Sequence, residues 1–458
     1  MYDRIIKGRI VTDADILNDG WVAVTDGRIA EIGQGTAAQA RETVDHGTDY
    51  ILPGVVDGQT HATSCQGLKG IEETTQGALA GGVTTLVDMP YDNPLPLDRP
   101  ERFDAKAEAI ATHAHADMAL YGTLTTETGT GQLQALRARG VVAFKISSFE
   151  SSPTRFPRIP ADLMLDLMEA LAPTDLPIGL HNEDQEIVLA RMVAARAAGE
   201  DGIEAHARAR PLAAELAATG HFMALGEAAG AHVHPVHLTA QAGFDLVASF
   251  TARGARATGE LCVHYLALDA AEDGARLGAR MKVNPPIRAG AIDGLWRAVT
   301  GGKVALISSD HSSWPIDNKL TASIFDAGAG VPGVETLLPL FWTLAERRGL
   351  DAPRLCATML SDRPAQFFGI DHAKGRIAVG READLAVLET GSFPFEASRA
   401  HDGLRWSPFD GDIFDARVVA TYLRGAMAWD GSKIVNAPGD GRLVKRMTGG
   451  WFAPTGGT

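Results

Sequence analysis

Three histidines, an aspartate and a lysine stand at or near the downstream ends of apolar runs: His61, His181, His237, Asp310 and Lys145. Imidazole and carboxylate are ligands for zinc and its neighbours among the divalent metals. Gathered at one point, the five would form a site that activates water for hydrolysis. Each also has a plainer reading. A histidine at a strand end is commonly a hydrogen-bonded group, and with 14 histidines some fall there by chance. His232 and His234, earlier in the run that carries His237, read as structural. Asp310 could cap a helix. Lys145 is harder to explain, because it lies in Val-Val-Ala-Phe-Lys-Ile, where a buried ammonium is costly. Either it snorkels to the open end of its strand, or burial lowers its pKa and the neutral amine adds carbon dioxide. The resulting carbamate is an anionic oxygen ligand able to bridge two cations.

The elements that carry these residues form a regular series. From residue 51 to about 369, eight apolar runs alternate with helical patterns: YILPGVVDGQTH, GVTTLVDMP, ADMALYGTL, GVVAFKIS, LPIGLHNED, HVHPVHLT, ARATGELCVHYL and KVALISSDH. Helices are expected over 72–80, 162–172, 185–198 and 243–252. Continuously apolar strands with helical crossovers predict a parallel (β/α)8 barrel over 51–369, whose strand ends converge on one face. A doubly wound open sheet is the competing arrangement. Residues 1–50 and 370–458 read instead as short strands. Asp26-Gly27 marks a hairpin, and RIAVGREADLAVLE reads as two strands joined at Gly380-Arg381. The two ends predict a small β-sandwich domain made from both termini, with the barrel inserted between them.

Composition limits the functional classes. The 458 residues are 45% hydrophobic and 22% charged, the balance of a globular chain. The 42 basic and 57 acidic side chains give a formal charge of −15, which disfavours nucleic-acid and anionic-membrane partners. No apolar run is long enough to span a bilayer, and the N-terminal stretch lacks a signal-peptide core. Three scattered cysteines, Cys65, Cys262 and Cys356, point to a reducing cytoplasm.

The ordered motifs then carry a resemblance. LPGVVDGQTH at 52–61, GGVTTLVDMP at 81–90, FKIS around Lys145, HNEDQ from His181 and PVHLT around His237 are followed by ELCVHYLALD at 260–269. KVNPPIR at 282–288, SSDHS around Asp310 and GRIAVGREADLAVL at 375–388 complete the set. In this order they resemble the cyclic amidohydrolases: allantoinase, hydantoinase/dihydropyrimidinase and dihydroorotase. The resemblance implies a barrel with a terminal β domain and two divalent metals, usually zinc. It implies metal-ligand roles for His61, carboxylated Lys145, His181, His237 and Asp310, with Asp310 also the catalytic acid-base group. The first histidine of the family's His-x-His is Gln59 here. A carboxamide is a weak ligand for zinc. Three readings stay open: two metals with one held loosely, one metal held by Lys145, His181 and His237, or lost activity.

The departures bear on substrate. Ala62-Thr63 follows His61 where dihydroorotases carry Leu-Arg, so the carboxylate clamp is missing. KISSFESSP carries no tyrosine after Lys145, unlike hydantoinases. Asp310-His311-Ser312 and the stretch at 405–418 are similar to allantoinase. The expected substrate is allantoin or a related five-membered ureide, with a hydantoin or dihydropyrimidine as the alternative. A metal-deficient dihydropyrimidinase-like scaffolding protein is the reading of another class. Asn284 and Tyr91 are candidate substrate contacts, each with a structural alternative as turn residue and buried aromatic. Arg288 reads as a structural cap. Relatives of this kind are commonly homodimers or homotetramers.

Overall fold

The structure, a computed structural model, describes residues 1–447 and 449–452. The chain opens with four strands: β1 (Tyr2–Val11), β2 (Ile16–Thr25), β3 (Arg28–Gln34) and β4 (Ala40–Pro53). Asp26 and Gly27 form the two-residue turn between β2 and β3, with φ of 50° and 76°. Positive φ at both positions is what a turn matched to strand twist requires, and Asp-Gly tolerates it.

Eight barrel strands follow: β5 (Val55–His61), β6 (Val83–Asp88), β7 (Asp117–Gly122), β8 (Ala143–Ser147), β9 (Ile178–His181), β10 (Val233–Pro235), β11 (Leu261–Cys262) and β12 (Ile307–Ser308). A short β13 (His311–Ser312) prolongs the eighth. Nearly every residue in them is buried, as strands covered on both faces must be. Pairing is parallel from β5 through β10. The bond from Leu238 N–H to Glu260 O carries the ring onward to β11, and β11 pairs with β12. His311 opposite Thr60, and Ser312 opposite His61, close it against β5. The open doubly wound sheet is thereby excluded. Helices lie where the periodicity puts them, at Gly70–Ala80, Ala161–Leu171, Gln185–Ala197 and Gln241–Thr251. The third begins on Asp184, whose carboxylate accepts from Ile187 N–H at 2.9 Å. That cap starts the helix three residues after β9 ends, which fixes the loop behind His181.

The chain then returns to the first sheet with β14 (Leu385–Pro394), β15 (Ile413–Leu423) and β16 (Ala426–Trp429). The seven strands form one continuous sheet in the order β16-β15-β14-β4-β1-β2-β3. It wraps a core that includes Ile6, Val22, Ile51, Leu385, Val387 and Tyr422. One expectation needs correction. Residues 376–384 form no strand, so RIAVGREADLAVLE contributes only β14. Those residues instead dock on β3, through Ile29 N–H to Arg381 O and Gly380 N–H to Ile29 O.

A buried ion cluster ties the sheet to the barrel. Lys374 Nζ lies 2.5 Å from both Asp117 and Asp384 and 2.6 Å from Glu382, and Arg424 pairs with Asp117 at 2.7 Å. These three carboxylates stand close enough to hold a cation. The Lys374 ammonium already occupies their centre.

Candidate active site

The predicted site residues meet. Gln59, His61, Tyr91, Lys145, His181, His237, Asn284 and Asp310 all line one cavity of about 350 Å³. It lies at the C-terminal ends of the barrel strands, where this fold places its chemistry.

His181 and His237 form the tightest part. His181 Nδ1 faces His237 Nε2 at 3.0 Å. The other nitrogen of His181, Nε2, lies 2.9 Å from the Glu183 carboxylate. A carboxylate there holds the proton on Nε2 and leaves the Nδ1 lone pair free. Glu183 is itself anchored by a short ion pair with the buried Arg210. Burial pushes the Glu183 carboxyl up, but Arg210 and His181 outweigh it and hold its pKa at about 2. The negative charge beside His181 is therefore permanent at neutral pH.

Asp310 sits across the cavity. Its Oδ1 accepts from Gln59 Nε2 at 2.8 Å and lies 3.5 Å from His61 Nε2. Burial pushes the Asp310 carboxyl up to about 7, against the pull of Lys145. His61 Nδ1 is within 3.1 Å of Ser64 Oγ, and burial drives the ring far toward its neutral form. Asp310 and His237 both have left-handed backbones, φ 49° and 44°. Such conformations are costly for non-glycine residues and persist where surroundings over-determine them. Beneath the site, Asp57 holds the eighth strand in place by accepting from Ser309 N–H at 2.9 Å.

Lys145 is 2% exposed and has no ion-pair partner among the described residues. Its Nζ stands 6.0 Å from the Phe156 ring centroid. Burial lowers its pKa to about 8, opposed by Asp310 and Glu260. It does not reach solvent as a snorkelling lysine would.

The donor set fits a divalent cation. Two imidazole nitrogens on one tetrahedral zinc sit about 3.3 Å apart, given bonds of about 2.0–2.1 Å. The His181–His237 separation is close to that value. Gln59 Oε1 is buried without a hydrogen-bond partner, as is Asn284 Oδ1. A buried acceptor left unsatisfied at a cavity wall is a place for a ligand group.

The other sequence expectations divide. Tyr91 lies at the cavity wall, its ring centroid 5.2 Å from that of Phe156 and tilted 37° to it, with the Arg155 guanidinium 4.7 Å above its ring. His232 and His234 lie below the site, bonded to Thr258 and Glu260. Arg288 points away from the chemistry, to Glu215 and Thr239. Glu183 and Arg210 were missed. Glu183 stands two residues after His181 in the HNEDQ motif, a spacing that places it on the same side of an extended chain. Arg210, 27 residues further on, gives no such signal.

Comparison with known proteins finds relatives along nearly the whole chain. The chain is similar to allantoinase of Rubrobacter xylanophilus, with 34% identity over 450 residues, covering 97% of this chain and 98% of that protein. It is 28% identical to an L-hydantoinase of Paenarthrobacter aurescens over 455 residues, covering 97% and 98%. The solved structure of L-hydantoinase (dihydropyrimidinase) from Arthrobacter aurescens superimposes with a TM-score of 0.92 at 28% identity, covering 97% of this chain and all of that one. The amidohydrolase family model matches residues 50–428, and the chain belongs to that family.

Proposed function

We propose that this protein opens the ring of allantoin or a closely related five-membered ureide by metal-dependent hydrolysis. Its family and relatives make it a cyclic amide hydrolase, and the superfamily is metal-dependent. The observation that carries the reading is the meeting of His181 Nδ1 and His237 Nε2 at 3.0 Å in a cavity shared with His61, Lys145 and Asp310. One metal would be held by His181, His237 and carboxylated Lys145. A second, probed by the Gln59 substitution, would rest on His61, Asp310 and the same bridging group. Zinc suits these donors best. When bound, the metal supplies Lewis-acid activation of water and of the ring carbonyl.

The chain's own residues do the rest. Glu183 fixes the His181 ring through its Nε2–H. Asp310 accepts the proton of the attacking water at a carboxylate oxygen and returns it to the leaving ring nitrogen. Gln59 Nε2 and its 2.8 Å bond hold that carboxylate in place. Asn284 Oδ1, unpartnered at the wall, accepts from a ring N–H. Phe149 and Phe156 line the cavity, and the stretch after Lys145 carries Phe149 and Glu150 with no tyrosine such as hydantoinases place there. That absence favours the ureide. The likeness to solved hydantoinases keeps a hydantoin or dihydropyrimidine as the second reading.

We assign residues 51–369 to the catalytic barrel and 1–50 with 370–458 to the composite domain, with the end of β4 at 51–53 still paired in the composite sheet; residues 448 and 453–458 lie outside the described residues. All three cysteines are free, which supports the cytoplasm. Among the described residues no helix is long and apolar enough to cross a membrane.

The test is a panel of allantoin, hydantoins, dihydropyrimidines and dihydroorotate with zinc, manganese or cobalt added. Allantoin opened fastest, with Lys145→Ala losing metal and turnover together, is the expected result. Turnover that survives Lys145→Ala with no metal present refutes the reading.

A further inference from the structure

Lys319 takes no part in the chemistry above, yet it is fully buried, at 0% exposure. Its Nζ donates to three main-chain carbonyls: Lys282 O at 2.7 Å, Gly328 O at 2.8 Å and Gly330 O at 2.8 Å. Burial, with the neighbouring Lys282, pulls the Lys319 pKa down. The geometry opposes this, because three carbonyl acceptors match the three N–H donors of an ammonium, one each. The Trp406 ring closes another side, its centroid 5.7 Å from Nζ. Trp406 is in turn fastened by its Nε1–H to Trp314 O at 2.9 Å. Lys282 repeats the arrangement nearer the cavity. Its ammonium donates to Ile324 O at 2.6 Å and, in a shorter bond, to Ala327 O.

The carbonyls served by these two lysines belong mostly to one segment. Residues 313–331 leave the eighth strand and return to it, since Val331 bridges to His311. Apart from a single turn at Ile316–Asn318, they have no regular structure. Irregular loops of this length are uncommon in compact domains and are usually functional. This one contributes Trp314, Phe325, Ala327, Ala329 and Gly330 to the cavity wall. Without a hydrogen-bonded ladder, its shape depends on side chains that reach its carbonyls. Gly330 shows how closely the wall is set. Its φ is +118°, and a Cβ there would meet Ser312 Oγ at 2.3 Å.

We infer that Lys319, seconded by Lys282, is a positioning residue for substrate recognition: a built-in ammonium, seated in a carbonyl cage as a monovalent cation would be, that fixes the 313–331 wall of the pocket. The inference rests on the hydrolase reading only for its kinetic part. The metal candidates His61, Lys145, His181 and His237 lie on other strands. Asp310 precedes the loop on the eighth strand, but its carboxylate is held from outside the loop by Gln59 Nε2 at 2.8 Å, so loosening this wall alters binding more than turnover.

The experiment empties the cage with Lys319→Ala. The expected kinetic result, on whichever ring substrate the wild type opens, is KM raised about tenfold or more, kcat within about threefold and bound metal unchanged. Hydrogen exchange of the 313–331 amides should quicken. Added ammonium or potassium ions should restore both KM and protection, and tetramethylammonium, which has no N–H and is too large, should not. Unchanged KM and exchange in the variant would overturn the inference. So would a loss of kcat and metal with KM intact, or a loosened loop that ammonium does not tighten. Should Lys319→Ala not fold, Lys282→Met gives the second reading: a raised KM with faster loop exchange supports the inference, and neither change overturns it. Exchange and its rescue are read without substrate. A chain that opened no ring would therefore sink the proposed function while the cage was still tested.

Discussion

Glu183→Gln separates the metal-centre reading from a merely structural histidine pair. The substitution keeps the side chain's shape and removes its charge. In the native protein the carboxylate lies 2.9 Å from His181 Nε2 and also pairs with buried Arg210. A carboxamide can turn an N–H toward Nε2. The ring proton then moves to Nδ1, and the lone pair that faces His237 is lost. Removing a partner of this kind typically weakens metal binding about 10–100-fold, or about 1.4–2.7 kcal/mol. A second effect is independent of metal. Arg210 is left charged, buried and short of its anion, which costs about 3–5 kcal/mol of folding stability. The assay is chelator competition for metal affinity, run beside thermal melts of the apoprotein. Arg210→Met serves as the control, because it removes the cation while Glu183 still holds His181. It should lower the melting temperature and weaken metal less than Glu183→Gln does. A Glu183→Gln protein whose metal affinity stays within about twofold of wild type would refute the argument.

Three further outcomes are expected. Gln59→His should raise bound metal toward two per chain, since imidazole replaces a carboxamide whose oxygen is buried without a partner; elemental analysis showing unchanged stoichiometry counts against a defective first ligand. Asp402→Asn should alter the pH dependence of stability. Burial first, then Glu335, raises the Asp402 carboxyl from 3.8 to about 7, so its contribution is full below the unfolded value and is lost as pH climbs through the folded one. The variant keeps the acceptor for Leu404 N–H, now 3.0 Å away, and should melt higher than wild type above pH 7, by the equivalent of at most about 4 kcal/mol. A constant difference between pH 4 and pH 8 would contradict it. Arg155→Met should cut kcat/KM for allantoin about 10–100-fold and for unsubstituted hydantoin no more than about threefold, if the guanidinium, a cation on the cavity wall over Tyr91 and bonded to Ser64 O, binds the polar ring substituent. Equal losses on the two substrates would assign Arg155 to packing alone.

The sequence revealed the features that depend on local pattern. Barrel strands buried on both faces leave continuous apolar runs, so all eight were legible, and with them the residues at their ends. The Asp26-Gly27 turn was legible because few other dipeptides accept its backbone. What was hidden depends on partners far apart in the chain. Residues 376–384 look like a strand by composition, but Lys374 and β3 claim them. Arg210 carries no mark of its role, because only the folded barrel brings it to Glu183. The 313–331 wall has no periodicity at all, and its order comes from ammonium groups whose acceptors are main-chain atoms of any residue type.

The seven-stranded sheet has a consequence for synthesis. β4 is flanked by β1, made among the first residues, and by β14, more than 300 residues downstream. While the ribosome is still working through the barrel, one flank of β4 is served and the other presents bare peptide groups. Such a vacancy invites the wrong neighbour, including the same stretch of another nascent chain. Crowded polysomes and slow translation of the middle of the message are therefore the conditions under which this protein is most exposed to misassembly.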